Sequence, residues 1–117
     1  MPFEVLDDHR WLEIRLVGSV TANDGVSARE LVPTLLRGRG LLLDFSDVIE
    51  VRASVESMVA LMKVVGPAAI RCAILATRPA IFGINRQAVL LAGLDDARRL
   101  QVFMDRPLAM AWLSTTA

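Results

Sequence analysis

LLLDFSDVIEVRASVESMVALM, residues 41–62, decides how this chain is read. Residues 41–45 are apolar apart from Asp44 and do not alternate. That is the pattern of a strand buried on both faces. Residues 46–53 read as a polar loop. Ser54 then opens a helix, because a serine at the N-cap accepts a hydrogen bond from a first-turn amide. Glu56 lies in that first turn and complements the positive end of the dipole. Val55, Met58, Val59, Met62 and Val65 follow at helical spacing, and Gly66 with Pro67 ends the run. A strand that passes through a loop into a helix is the kind of junction where α/β domains hold ligands.

Upstream, residues 3–6 form a short apolar strand. Asp7, Asp8, His9 and Arg10 make a turn, being rich in side chains that bond local backbone. Residues 11–17 alternate, with Trp11, Glu13, Arg15 and Val17 on one face and Leu12, Ile14 and Leu16 on the other. The two strands form a hairpin, and Gly18 and Ser19 leave it. Thr21, Asn23 and Asp24 can each cap the next helix. It runs to about Arg37, with Val26, Leu31, Val32, Leu35 and Leu36 inward. Pro33 predicts a kink or a second start near Val32. The glycines of Arg37-Gly38-Arg39-Gly40 terminate it.

Downstream, residues 70–76 are a second buried strand. Thr77, Arg78 and Pro79 open a helix that runs to about Ala92, with Ile81, Ile84, Ala88 and Leu91 as its stripe and Gly93 as its terminator. Residues 100–103 are the last strand. Asp105 caps a final helix with Leu108, Ala111 and Trp112 inward. The order β-β-α-β-α-β-α-β-α defines an α/β single domain. Its sheet is mostly parallel, flanked by helices and joined by right-handed crossovers.

Composition sets bounds on function. The 117 residues suffice for one core. Hydrophobic residues make up 54% and the mean hydropathy is +0.47. A small parallel sheet covered by helices needs such a composition. It also allows exposed apolar surface that binds a ligand or a second copy. Basic and acidic residues balance at 13 each, so no basic excess points to nucleic acid. Cys72 is the sole cysteine, which excludes an internal disulfide, and its apolar neighbours mark it as a buried inert thiol. The N-terminus lacks a basic n-region and a long apolar segment. No apolar run approaches the ~20 residues of a membrane span. The chain reads as cytoplasmic and not membrane-spanning.

The element order, together with the strand Leu41-Leu42-Leu43-Asp44-Phe45-Ser46-x-Val48, resembles STAS domains, the family of bacterial anti-sigma factor antagonists with the SpoIIAA-like fold. In that family such a strand leads, one loop later, to an Asp-Ser pair at a helix start. A partner kinase phosphorylates that serine and so switches partner binding. Asp44 and Ser46 match the strand end. Arg52 and Ala53 stand where the pair belongs, and Ser54 follows one place late. Ile81-Phe82-Gly83-Ile84-Asn85-Arg86, then Val102-Phe103-x-Asp105 and Ala111-Trp112-Leu113, resemble the STAS/SEC14-type branch, which generally lacks the phosphorylated serine. The resemblance implies a SpoIIAA-like (STAS) domain over residues 1–117. It implies a non-enzymatic regulatory or protein-interaction role without the usual phosphoserine switch. The implied partner is an anti-sigma factor or a kinase-like regulator. A homodimer is a further expectation. The alternative is a binding domain for a small apolar or lipid-like ligand held between sheet and helices.

The candidate site residues are Asp44, Ser46, Arg52, Ser54 and Ser57 on the loop and helix start, with Arg78, Asn85 and Arg86 at the neighbouring junction. Topology places both junctions at one carboxyl edge of the sheet. A phosphate on Ser54 would meet unpaired amides and the positive dipole end, with Arg52 close by. The plainer role of Ser54 is an N-cap. Arg78, Asn85 and Arg86 suit an anion, a nucleotide phosphate or an acidic partner; the plainer reading is solvated arginines beside a capped helix. Asp44 and Asp47 are a carboxylate pair without further ligands, and a loop-starting aspartate commonly bonds local backbone. His9 has no second histidine beside it. No nucleophile-His-acid set, phosphate-cradling glycine loop or metal-ligand cluster stands out, and no cofactor is implied. Met58 and Met62, near Gly66, suit a core stripe or the lining of an apolar pocket.

Overall fold

The first hairpin and the alternation of strands with helices after it appear as the periodicities require. The computed structural model describes residues 3–7, 10–94 and 99–115. Its strands are β1 (Phe3–Asp7), β2 (Trp11–Val20), β3 (Gly40–Val51), β4 (Cys72–Leu75) and β5 (Leu100–Phe103). Its helices are α1 (Ala22–Leu36), α2 (Val55–Ala68), α3 (Pro79–Leu91) and α4 (Arg106–Ser114). The sheet runs β1-β2-β3-β4-β5, with β1 antiparallel to β2 and every other pair parallel. From β2 onward each crossover advances one strand in the same direction. Right-handed crossovers then put α1, α2 and α3 on one face. Helix α4 follows the last strand and covers the other face.

The alternation of β2 and the apolar run of β3 account for both layers. Leu12, Ile14 and Leu16 of β2 join Leu41, Leu43 and Phe45 of β3 in the main core. Onto them pack Val32 and Leu36 of α1, Met58, Leu61, Met62 and Val65 of α2, and Ile81 and Ala88 of α3. On the opposite face Trp11, Leu42, Ala73 and Leu75 meet Ala109, with Met110, Trp112 and Leu113 alongside. The Phe103 and Trp112 rings lie 5.6 Å apart at 50°. Met58 and Met62 are therefore core residues. Cys72 is fully buried, and burial pushes its thiol up to about 12.

Several boundaries differ from the sequence reading. Strand β2 continues through Gly18 and Ser19 to Val20, and β3 continues through the expected loop to Val51. Each supplies the other's ladder, from Val17↔Asp47 to Val20↔Val51, with one register shift between Gly18 and Ser19. Pairing overrides the weak strand propensity of these residues. Pro33 does not divide α1, which runs unbroken from a Thr21–Asp24 capping box to Arg37 in the left-handed region. Val32 and Leu36, both buried, anchor the helix on either side of the missing bond. Helix α2 likewise passes through Gly66 and Pro67 to Ala68.

The apolar stripes also shift. Val26, Val55 and Leu91 are exposed, whereas Asn85 is buried on α3. On α4, Leu108 and Ala111 face solvent, and Ala109, Met110, Trp112 and Leu113 pack inward. The helix is turned so that Arg106 reaches two buried carboxylates on the sheet. The expected turn at Asp8 and His9 lies outside the described residues. Among those described, no helix is long and apolar enough to cross a membrane.

Candidate functional site

Strands β2 to β5 are parallel, so their C-terminal ends and the starts of all four helices share one edge of the sheet. Strand β4 stops at Leu75, opposite Asp44. Beyond that point β3 pairs with β2 alone among the described strands, and residues 46–51 project as one side of a two-stranded ribbon. Where the β4 ladder ends, the Ser46 amide donates to Asp44 Oδ1 at 2.8 Å. The aspartate thereby replaces a lost sheet partner. Along the ribbon Val48 is buried and Ile49 is 63% exposed.

The ribbon delivers the chain to α2. The amides of Arg52 and Ala53 both donate to the Val20 carbonyl, at 2.7 and 3.2 Å. This ties the start of α2 to the end of β2. Ser54 caps α2: the Ser57 amide donates to its Oγ at 3.2 Å, and its hydroxyl donates to Ser57 Oγ at 3.2 Å. Arg52 Nε donates to Glu50 Oε1 at 2.9 Å, and the Ser19 hydroxyl donates to the same oxygen at 2.8 Å. The Ser19 hydrogen bond, then that of Arg52, holds the Glu50 carboxyl below its ordinary pKa. Arg52 thus pairs with Glu50. Arg52 and Ser54 are exposed at one edge with Ser57 partly buried beside them, and Ser46 lies further back on the ribbon.

Asp44 belongs to a different constellation. It lies two residues after Leu42 and faces α4. Its Oδ2 accepts from Arg106 Nη1 at 2.9 Å and lies 3.6 Å from Arg15 Nε. Glu13 Oε1 accepts from Arg106 Nη2 at 2.7 Å, and Glu13 Oε2 accepts from Arg15 Nη2 at 3.1 Å. Glu13 and Asp44 are 5% and 2% exposed, so two buried carboxylates are matched by two half-buried guanidiniums. Burial opposes the Arg15 charge, but Glu13 and then Asp44 outweigh it and raise its pKa. The sequence reading did not single out Glu13, Arg15 or Arg106. Glu13 and Arg15 on one face of a strand that begins with Trp11 were the available signal, since a sheet-face carboxylate needs a cation.

At the neighbouring junction Arg78 occupies the N-cap position of α3 without a side-chain cap, ahead of Pro79 at the helix start. Arg78 and Arg86 are exposed, whereas Asn85 is fully buried. Asn85 Nδ2 donates to the Ile81 carbonyl at 3.0 Å, and its Oδ1 has no hydrogen-bond partner among the described residues. Asn85 and Arg86 consequently do not share a surface. No group of three potential metal ligands occurs among the described residues. A shallow apolar pocket of about 140 Å³ lies at the other edge of the sheet, lined by Gly66, Pro67, Leu94 and Leu100.

An uncharacterised protein of the DUF3478 family with a SpoIIAA-like fold, from Shewanella loihica PV-4, has a similar solved structure. The TM-score is 0.62 over 95% of this chain and 91% of that one. This chain has a SpoIIAA-like fold. Sequence identity to that SpoIIAA-like protein is 19%, so the likeness concerns architecture. No family model and no curated protein matches the chain. The roles of residues in this SpoIIAA-like domain therefore rest on its own geometry.

Proposed function

We propose that this SpoIIAA-like domain is a non-enzymatic regulatory module. It binds a protein partner through the β2–β3 ribbon and the start of α2, without a phosphoserine switch. The observation that carries this reading is the ribbon itself. Residues 46–51 run past the end of β4 and leave Ile49 63% exposed on a ribbon that also carries the bonded polar residues Ser19 and Glu50, with Arg52 just after it. An exposed apolar residue on a polar element suits a protein interface. The fold suggests a partner of the anti-sigma factor or kinase-like regulator class, or a second copy of the domain. The absence of a switch is supported by Ala53, which packs against the core and carries no hydroxyl, and by Ser54, whose oxygen is occupied as a cap.

The test is capture from native-host lysate with the wild type, Ile49→Asp, and Arg10→Gln as a control on the far edge. A protein retained by the wild type and the control, and reduced about tenfold by Ile49→Asp, is the expected outcome. Equal retention by all three rules the ribbon out.

Ser54→Ala separates capping from signalling. Loss of the cap is expected to cost about 1 kcal/mol in urea unfolding while the captured partner is unchanged. Phosphate found on Ser54 by intact mass after incubation with lysate and ATP would restore the switch reading. The small-ligand alternative rests on the pocket at Gly66. Its 140 Å³ falls below the ~300 Å³ of ordinary small-molecule sites, which makes it the weaker reading.

A further inference from the structure

Beyond the Asp44↔Leu75 pair, β3 has no neighbour on the β4 side among the described residues, while β2 pairs with it as far as Val51. A strand bonded on one side only presents a row of backbone N–H and C=O groups on the other. The Ser46 amide is already satisfied by Asp44 Oδ1 at 2.8 Å, so the open length is residues 47–51. That is the length of an ordinary strand, about five residues.

The side chains decide what this edge accepts. Asp47 pairs with Val17 and Glu50 with Ser19. Val17 and Ser19 are alternate residues of β2 and share a face. The register shift, with Ile49 as the extra residue, puts Asp47 and Glu50 on that same face. Both carboxylates are exposed. Glu50 accepts from Ser19 and Arg52, whereas Asp47 forms no ion pair among the described residues.

An open edge invites pairing with a second copy of itself. Here the acids oppose it. Two copies laid antiparallel about an axis at Val48 would set Asp47 against the partner's Glu50. An axis at Asp47 or at Glu50 would set each acid against itself. Like charges directly opposite across two strands are destabilising, whereas a basic strand meets the same two acids favourably.

Building on the ribbon as the partner-binding surface, we infer that residues 47–51 of β3 add an extended segment of another protein as a strand, with its basic side chains set against Asp47 and Glu50. Main-chain hydrogen bonds along the edge supply the affinity, and the side chains of alternate residues supply the selection.

A blocked peptide of about six residues, alternating lysine and valine, tests this on the intact ¹⁵N-labelled chain at low ionic strength. Amide shifts centred on residues 47–51 are expected. The fully N-methylated analogue keeps the charges and loses every backbone donor, and it is expected to bind about tenfold more weakly. The glutamate counterpart of the peptide, and the lysine peptide on Asp47→Lys, are each expected to bind about fivefold more weakly. Absence of binding by the lysine peptide, or equal binding of its N-methylated analogue, overturns strand addition. Equal binding of the lysine and glutamate peptides overturns the basic partner. A wild-type dimer with amides protected over residues 47–51 makes a second copy the occupant and overturns it too. A partner captured through Ile49 while the lysine peptide does not bind leaves the ribbon as the partner surface and removes only the strand mode. The wild-type shift map stands even where the variant fails to fold.

Discussion

Replacing Arg106 with methionine is expected to lower the free energy of unfolding by about 3 kcal/mol. Arg106 bridges Glu13 and Asp44 through separate nitrogens at 2.7 and 2.9 Å, and these carboxylates are buried. Without it, Arg15 alone must balance both, and it stands 3.6 Å from Asp44. Removing one member of a buried ion network leaves uncompensated charge, which costs more than the intact network contributes. The Arg106 side chain is 39% exposed, so solvent moderates the loss and places it at the low end of the range for buried pairs. Urea denaturation measures the change. The same substitution in a Glu13→Gln, Asp44→Asn background should cost clearly less, because the stranded charges are gone. An equal loss in both backgrounds would show that the contacts are not coupled. The damage should centre on α4, whose only charged residue reaches across to β2 and β3.

Phe45→Ala is expected to cost about 4 kcal/mol, within the range for truncating a fully buried aromatic side chain. Phe45 is 0% exposed and is the last residue of β3 before the ribbon to face α1, α2 and α3 in the main core. It lies one residue beyond the Asp44↔Leu75 pair where the β4 ladder ends, inside the same core cluster as Val48. Chemical denaturation gives the value. A loss below about 1 kcal/mol would mean that the site is far looser than its burial implies. Phe45→Leu keeps most of the volume and should cost substantially less.

Features set by neighbouring residues were legible in the sequence. The hairpin, the alternation of Trp11 to Val17, the Ser54 cap, the Thr21 helix start and the residue 100–103 strand all depend on local periodicity or capping chemistry. The lengths of β2 and β3 were not legible. Gly18, Ser19, Asp47 and Glu50 are weak strand formers, and only their mutual pairing makes them a ribbon. The inward face of α4 was misread because Leu108 and Ala111 look like core residues, while the helix orientation follows Arg106. Glu13 and Arg106 meet across 93 positions, a separation no local pattern records. Asp44 was singled out from the family-like strand, but its side chain lies on the α4 face, away from Ser54 and its cap. Asn85, grouped with Arg78 and Arg86 by sequence position, is fully buried on α3.

Amide hydrogen exchange of the chain, alone and with its captured partner, tests the ribbon as the binding surface most directly. The expected result is slowed exchange over residues 46–57 with α4 unchanged. Protection confined to α4 or to the other edge of the sheet, with residues 46–57 exchanging as in the free chain, would contradict it.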